Sequence, residues 1–431
     1  MTFSLKTSMA VLTFLAGMAG PLCGQATPTA TEGDHYEPGP KLPAIDGNFK
    51  YSLAATQVVE RGGVGNYTQT MGSGTLEYQS KSVTAPFGLL YSGGVSYATF
   101  NTLGLQTFQG LTVSQGLIRG LWNFGISDTV SFLPSSPTTG LTGVAGVGNQ
   151  GVVAAPNPNI PSQAILTTYG KSLSNSVAGD MQRQLTGRTS IDATANYGIL
   201  RYLDGTGFDS DQIGSQVGLN RKLSERTSVG VNAQYGVYSF TGSTSFNTRG
   251  LNVSFTRELS RELSVNGSFG PQWVSQFSST TFGTSSVVPL IVPARLSLAC
   301  IVGVNYSHRF TNANVSYMRG VNNGAGIQAG GFINSVSGSV GQTYGQSWGA
   351  SISASYNNIS GLTVNGTTSS EFGTAQITRR LNRDFSVYAS ATVMHQNLNS
   401  VLTGPYLLNG ASEMYAIGVT FSPNALHLGQ F

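Results

Sequence analysis

Charged residues are scarce in this chain, and their scarcity excludes most ordinary soluble folds. Only 9% of the 431 residues are charged, whereas a typical soluble domain carries about 25%. Lys and Glu, which long soluble helices need, are among the residues in short supply. Intrinsic disorder is disfavoured too, because aromatic residues reach 10% while the formal net charge is only +4.

Long hydrophobic runs and cysteine pairs are lacking as well. After residue 22, no run approaches the roughly 20 apolar residues of a transmembrane helix. Of the two cysteines, Cys23 lies in the leader, so Cys300 has no partner for an intramolecular disulfide. No block of basic residues indicates nucleic-acid binding. These absences leave an all-β protein rich in Gly, Ser, Thr, Asn and Gln, either embedded in lipid or secreted.

The first residues predict export from the cytoplasm. Residues 1–26 read as a signal peptide, with Lys6 before a short apolar stretch and Gly24-Gln25-Ala26 as the cleavage site. Residues 27–47, rich in Pro and acidic residues, are predicted to be a flexible periplasmic segment. Residues 48–421 then form the main domain, followed by a C-terminal tail at 422–431.

A repeated short polar turn is the most informative feature of the chain. Six segments align, at intervals of 34 to 51 residues. Together they contain 15 charged residues, while the whole chain has 22 Lys and Arg and 18 Asp and Glu residues. A period of this size would also suit a solenoid or a propeller. The segments are 183–190, 221–228, 257–264, 308–315, 342–349 and 379–386.

About ten residues of strict apolar and polar alternation flank each turn. After the second turn, for example, Val229, Val231 and Ala233 alternate with Gly230 and Asn232. Period two over such lengths predicts strands with one apolar and one polar face. Short turns at one end and long Gly/Ser/Asn loops at the other are typical of an outer-membrane barrel. We therefore expect outer faces that lack charge.

The number of strands follows from the turns. Six hairpins between about 174 and 396 supply twelve strands, one more runs through Met414 to Phe421, and five precede the first repeated turn. The sequence predicts a transmembrane antiparallel up-and-down barrel of about 18 strands, with 16 as the alternative and both ends in the periplasm. The five early strands are expected near 48–60, 73–83, 88–100, 107–117 and 121–134.

The last strand carries the resemblance to a known class of protein. Tyr415, Ile417, Val419 and Phe421 alternate with smaller or polar residues. This resembles the C-terminal assembly signal of bacterial outer-membrane barrels, although Phe431 is a second candidate for the terminal aromatic. The chain resembles a loosely defined group of β-barrel porins of Gram-negative bacteria, some of which are linked to exopolysaccharide secretion. The resemblance is at the level of the class and implies no functional residue.

The long loop at 135–172 and one acidic turn are the segments in which function could reside. The chain has no charge from Thr129 to Gly170, and the loop is either a constriction or plug of the pore or an external loop. Asp204, Asp209 and Asp211 among glycines form a weak calcium candidate, and a plain Gly/Asp turn is the preferred interpretation. We expect no cofactor and no other metal site.

Catalytic residues are not evident in the sequence. Only His35, His308, His395 and His427 are present, and none lies within a recognised hydrolase motif, so we expect no enzyme. Tyrosines near the loop-side strand ends predict an interfacial girdle, comprising Tyr197, Tyr202, Tyr235, Tyr238 and Tyr356. Lumen-facing candidates are Asp192, Asn232, Gln234, Tyr238 and Tyr388, the two tyrosines being possible sugar contacts.

Three functions remain open from the sequence. The first is a porin-like passive channel for small polar solutes with weak charge selectivity. The second is a structural or export component, such as an exopolysaccharide-linked barrel with a plugged lumen, and the third is a secreted β-rich adhesin. Expected partners are outer-membrane lipid and lipopolysaccharide, the barrel-assembly machinery, periplasmic chaperones and other copies of the chain.

Overall fold

A computed structural model shows the architecture of the chain. It describes residues 46–62, 66–99, 104–134, 171–203, 209–241, 244–282, 286–322, 330–362, 366–398, 409–424 and 426–428. Within these ranges, no helix has the length and apolar character needed to cross a membrane.

The described residues form eighteen long strands and one short one. The first nine are β1 (Gly47–Gly62), β2 (Tyr67–Ser80), β3 (Phe87–Ala98), β4 (Leu105–Arg119), β5 (Trp122–Pro134), β6 (Lys171–Thr186), β7 (Thr189–Tyr202), β8 (Ser210–Ser224) and β9 (Thr227–Phe240). The others are β10 (Thr244–Glu258), β11 (Leu263–Phe282), β12 (Ser286–His308), β13 (Thr311–Asn322), β14 (Gly331–Tyr344), β15 (Trp348–Gly361), β16 (Thr367–Arg380), β17 (Phe385–Asn397), β18 (Gly410–Phe421) and β19 (Leu426–Leu428).

Each long strand pairs antiparallel with its neighbours in sequence, and the first strand pairs with the eighteenth. Leu53 lies opposite Phe421 and Gly62 opposite Ser412 in this closing seam. The prediction of 18 strands is confirmed for the described residues, and the alternative of 16 is wrong. The short β19 adds three pairs to the beginning of β1, where Gly47 lies opposite Leu428.

The six repeated polar segments all contain turns at the same end of the barrel, which we name the turn end. The turn between β6 and β7 spans only residues 187–188, and that between β8 and β9 only 225–226. Gly120, between β4 and β5, has a φ of 59°, a conformation that L side chains rarely adopt. The opposite end, where the connections at 135–170 and 398–409 lie, is named the loop end.

Alternation along the strands separates an outer face from an inner face. On β18 the outer positions are Tyr415, Ile417 and Val419, which are exposed, while Met414 and Thr420 between them are buried. The outer positions of β8 and β15 are likewise apolar and exposed, as at Val217 and Ile352. An apolar surface on the outside of a closed barrel is the arrangement that hydrocarbon requires, since every strand edge is paired.

Aromatic side chains border this apolar belt at both ends. At the turn end, Arg183 lies over the Trp122 ring at 4.9 Å and Arg379 over the Trp348 ring at 5.0 Å. At the loop end, Tyr197, Tyr235 and Tyr356 face outward and are exposed. Trp348 and Tyr356 are eight residues apart on β15, about 26 Å along the tilted strand. Two such rings are typical of membrane barrels.

Two tyrosines do not belong to the girdle that the sequence predicts. Tyr202 lies opposite Ser172 and Tyr238 opposite Phe246, which are inner-face positions. Both rings are buried. The girdle prediction is wrong for these two because proximity to a strand end fixes depth, whereas the face depends on parity along the strand.

One carboxylate interrupts the outer belt, contrary to the expected depletion of charge. Asp128 lies between Val113 of β4 and Val177 of β6, both outer positions. It is six residues from Trp122, about 20 Å along the strand, and therefore lies in the part of the belt nearer the loop end. Its carboxylate accepts a hydrogen bond from Nδ2 of Asn175, a second polar residue on the outer face.

Replacing Asp128 with Leu is expected to stabilise the barrel. Lys or Arg on the lipid face costs about 2–4 kcal/mol at the midplane and about 0–1 kcal/mol near the interfaces, and Asp costs less, so we expect the free energy of unfolding to rise by up to about 1 kcal/mol. Denaturant titration of the protein folded into lipid vesicles measures this, with Val177→Leu beside it as the control. A less stable Asp128→Leu variant would instead show that the hydrogen bond from Asn175 contributes more to stability than the charge costs.

Candidate functional site in the lumen

Uncharged polar side chains dominate the inner face of the barrel. Asp192, Asn232, Gln234, Tyr238 and Tyr388 all occupy inner-face positions of β7, β9 and β17. On β15 the inner residues Ser351, Ser353 and Ser355 alternate with outward-facing Ile352 and Ala354. A wall of hydroxyl and amide groups can be wetted without the cost of fixed charge.

Glycine alternates with amide residues on the inner wall of β8 to β11. Substituting a Cβ at Gly250 would bring it 2.7 Å from Nε2 of Gln234, and at Gly270 2.6 Å from Oδ1 of Asn252. Each amide side chain therefore lies against a glycine of the next strand. It occupies the space that a side chain at the glycine position would fill. The inner residues of β8 show the pattern in sequence, as Gln212, Gly214, Gln216, Gly218 and Asn220.

This wall encloses a cavity of about 640 Å³, within the range of about 300–1,000 Å³ typical of small-molecule sites. Its polar lining comes from inner residues of β7 to β11, and Met318 and Ile333 add an apolar part. Among its described lining residues, Asp192 is the single carboxylate. Arg319 is the single cation, and its register opposite Cys300 places it on the outer face.

Three amide oxygens of the cavity wall have no hydrogen-bond partner among the described residues. They are Oδ1 of Asn232, Oδ1 of Asn252 and Oε1 of Gln272. Asn252 and Gln272 are each only 6% exposed. Because an unsatisfied buried polar atom costs about 1–3 kcal/mol, a hydrogen-bond donor in the lumen would be stabilised by these oxygens.

Charged side chains on the inner wall lie mainly near the two ends of the barrel, or they form hydrogen bonds or ion pairs with neighbouring side chains. Lys50 and Glu77 form an exposed ion pair at the turn end, with Nζ and Oε1 3.7 Å apart. Glu60, near the loop end, is 2% exposed and accepts hydrogen bonds from Tyr67 and from Ser412 Oγ, the latter at 3.0 Å. Asp192 is bonded to Asn220 Nδ2. The sequence prediction named Asp192 alone and missed Glu60 and Asp180.

Opposite the cavity, buried apolar side chains cover the inner wall towards the loop end. Their exposed fractions are 5% or less, so water does not reach them. We name this set the apolar arc, and it spans the closing seam. It consists of Val58, Met71, Phe108, Phe372, Met394 and Met414. The wetted part of the lumen at this depth is therefore the cavity side.

A second apolar cluster borders the cavity at its loop end. Tyr238 stacks on Phe246, with ring centroids 4.5 Å apart at 17°. Phe240 stacks on the other side of the cluster at 5.8 Å from Phe246. Tyr238 thus gives the cavity a rigid aromatic border.

The remaining candidates have separate locations. Asp204 lies outside the described residues, while Asp209 Oδ1 accepts from Tyr202 N at 2.8 Å and Asp211 pairs with Arg201 at 2.7 Å. Within the described ranges no group of three His, Cys, Asp or Glu could hold a metal. Of the loop proposed as a constriction, 135–172, residues 135–170 are also outside the described residues, as are His35 and Phe431, while residues 171 and 172 belong to β6.

The other histidines and the last strand lie away from the cavity. His308 pairs with Glu262 at the turn end, and His427 lies in β19. His395 faces outward, with Nδ1 3.8 Å from Oε2 of Glu371, a neighbour that sequence spacing did not show. The predicted assembly residues, namely Tyr415, Ile417, Val419 and Phe421, share the outer face of β18, which ends at Phe421.

Comparisons with known proteins add likeness in fold only. No family model and no curated protein matches the sequence. OccK2 (OpdF) of Pseudomonas aeruginosa, crystallised with glucuronate, is 9% identical with a TM-score of 0.47, covering 88% of this chain and 99% of its own. OpdQ of the same organism is 13% identical with a TM-score of 0.43 and the same coverage.

A larger receptor is similar to the same extent. The ferric-catecholate import receptor Fiu of E. coli K12 is 10% identical with a TM-score of 0.44, covering 89% of this chain and 82% of its own. The fold assignment rests on the closed ladder, the apolar outer belt and the two aromatic rings. On these grounds, the chain is an 18-stranded antiparallel β-barrel of the outer-membrane type.

Proposed function

We propose that this protein is a porin-like passive channel of the bacterial outer membrane, which passes small polar solutes with weak charge selectivity. The observation that carries the proposal is the contrast between the two faces of one closed sheet. The outer face is an apolar belt, and the inner face is lined by hydroxyl and amide groups around a cavity of about 640 Å³. Such a wall offers a solute hydrogen bonds in place of water.

Weak charge selectivity follows from the placement of charge on the inner wall. Lys50 and Glu77 neutralise each other at the turn end, and Glu60 is buried. Asp180 and Asp192 remain on the inner faces of β6 and β7, and Arg295 lies on the inner face of β12, opposite Val274. Rings of charge set ion selectivity in pores, so two carboxylates and one arginine that form no ring predict only a slight preference for cations.

No group described in the lumen supports an enzymatic role, and we propose that the chain is not an enzyme. Its expected partners follow from the apolar belt and the strand pairing. These are outer-membrane lipid and lipopolysaccharide, the barrel-assembly machinery with periplasmic chaperones, and other copies of the chain. Signal-peptide cleavage before Thr27 is part of the same proposal, since it delivers the chain to the periplasm.

Current recordings in planar lipid bilayers test the channel. The folded protein, identified by a shift in gel mobility on heating in detergent, is expected to produce discrete steps of conductance. In a salt gradient, the reversal potential should lie close to zero, displaced slightly towards the value for a cation-selective pore. Absence of steps from folded protein would contradict the channel and favour a structural or export barrel. Absence of the gel shift would favour the secreted adhesin.

A further inference from the structure

We propose that the lumen cavity is a binding site for neutral, polyhydroxylated solutes, that is, for sugars. The inference rests on the proposed channel and deepens it by naming the class of solute. It is carried by three features of the described residues: the unpartnered amide oxygens, the near absence of charge and the apolar border.

The unpartnered amide oxygens require a ligand that donates hydrogen bonds. Oδ1 of Asn232, Oδ1 of Asn252 and Oε1 of Gln272 are buried acceptors on neighbouring strands. Asn232 lies directly opposite Asn252 in the sheet. A sugar carries several O–H donors, and each hydroxyl also accepts a hydrogen bond. Amide groups, which donate and accept, therefore match several hydroxyls at once.

The lack of charge and the apolar border narrow the class of solute further. An anionic solute would find no described cation on the inner face of the cavity, where Asp192 is the single charged group. That carboxylate is already engaged by Asn220, so it is a poor site for an ammonium group. Tyr238, Met318 and Ile333 give the cavity an apolar part against which the C–H face of a sugar ring can pack.

The inner-face glycines of β10 and β11 provide the space that the amide side chains of the proposed site occupy. Gly250 and Gly270 leave the room into which Gln234 and Asn252 lean. The opposite wall also has unpartnered buried oxygens, such as those of Ser73 and Gln376, but these do not line the cavity, and the apolar arc covers that wall towards the loop end. The sugar site is therefore one-sided, with its polar contacts on β7 to β11 and its apolar part on β13 and β14.

The test uses three ring-matched probes, namely galactose, galactosamine and galacturonate, on the folded full-length protein. Isothermal titration calorimetry and interruption of single-channel current both report binding. Galactose is expected to bind saturably and to interrupt the current of the unmodified protein. In the double variant Asn252→Leu, Gln272→Leu, galactose binding should weaken at least tenfold. The matched control is Gln376→Leu, an inner residue of β16 outside the cavity that also has an unpartnered oxygen.

The outcomes separate the sugar site from the channel. Steps of current without any galactose binding by the unmodified protein would overturn the sugar site and leave the channel standing. Tighter binding of galactosamine or galacturonate by tenfold or more would overturn the neutral class. An equal loss of binding in Gln376→Leu would overturn the location. If the double variant does not fold, interruption of the single-channel current by galactose in the unmodified protein still shows whether galactose binds.

Discussion

Replacing Gly418 with Val is expected to lower the free energy of unfolding of the barrel by about 2–4 kcal/mol, since it overpacks the closing seam and breaks a hydrogen bond. Tyr388 of β17 lies across Gly418 of β18, and a Cβ at Gly418 would be 2.5 Å from Cζ of the Tyr388 ring. The Tyr388 hydroxyl hydrogen-bonds to Thr56 of β1. One side chain thus joins three strands where the barrel closes.

Denaturant titration in lipid vesicles measures the effect, and the gel shift on heating reports the yield of closed barrel. Gly349→Val is the matched control, because Gly349 is an inner-face glycine of β15 with open space around its missing Cβ. We expect it to change stability by less than about 0.5 kcal/mol. Adding Tyr388→Ala should relieve much of the Gly418→Val defect, as coupled neighbours do. Equal effects of both glycine substitutions would refute a specific role for the seam.

The second large effect is expected at Glu60, also beside the seam. Glu60→Leu removes an acceptor that Tyr67 of β2 and Ser412 of β18 both use. Ser412 is 0% exposed, so water does not replace the lost acceptor without rearrangement. A buried polar group that loses its partner costs about 1–3 kcal/mol, and the Ser412 hydroxyl is such a group. We expect the free energy of unfolding to fall by about 1–3 kcal/mol.

Glu77→Leu is the control for Glu60→Leu. Glu77 is also an inner-face carboxylate next to the seam, but its side chain is 45% exposed and its partner Lys50 is 54% exposed. Exposed ion pairs contribute about 0–1 kcal/mol, so the control should remain near the stability of the unmodified protein. If Glu77→Leu were as damaging as Glu60→Leu, loss of charge rather than loss of the buried hydrogen bonds would be the cause.

Together, these two sites show which side-chain hydrogen bonds join the first long strand of the barrel to the last two. Thr56 and Tyr388 are 332 residues apart, and Glu60 and Ser412 are 352 apart. Pairing of β1 with β18 must await all the strands between them, and its loop-closure entropy is correspondingly large. Buried side-chain bonds across that seam compensate for the cost, and the apolar arc adds Val58 and Met414 at the same place.

The period of the sequence determined the strands, their faces and the position of the turns, because alternation and turn chemistry are local properties. The eighteen described strands, the six turns and the outward Tyr415, Ile417 and Val419 follow from that pattern alone. The alternating glycines and amides of β8 are a further local signal that points to the cavity wall.

Only the tertiary structure decided which side chains meet across strands, because that depends on the register of each pair and on closure of the ring. It placed Tyr388 over Gly418 and gave Asp128 its neighbour Asn175. It also grouped the unpartnered oxygens of Asn252 and Gln272 in one cavity. The scarcity of charge identified the barrel, and the register of neutral amides across neighbouring strands located the site proposed for its solute.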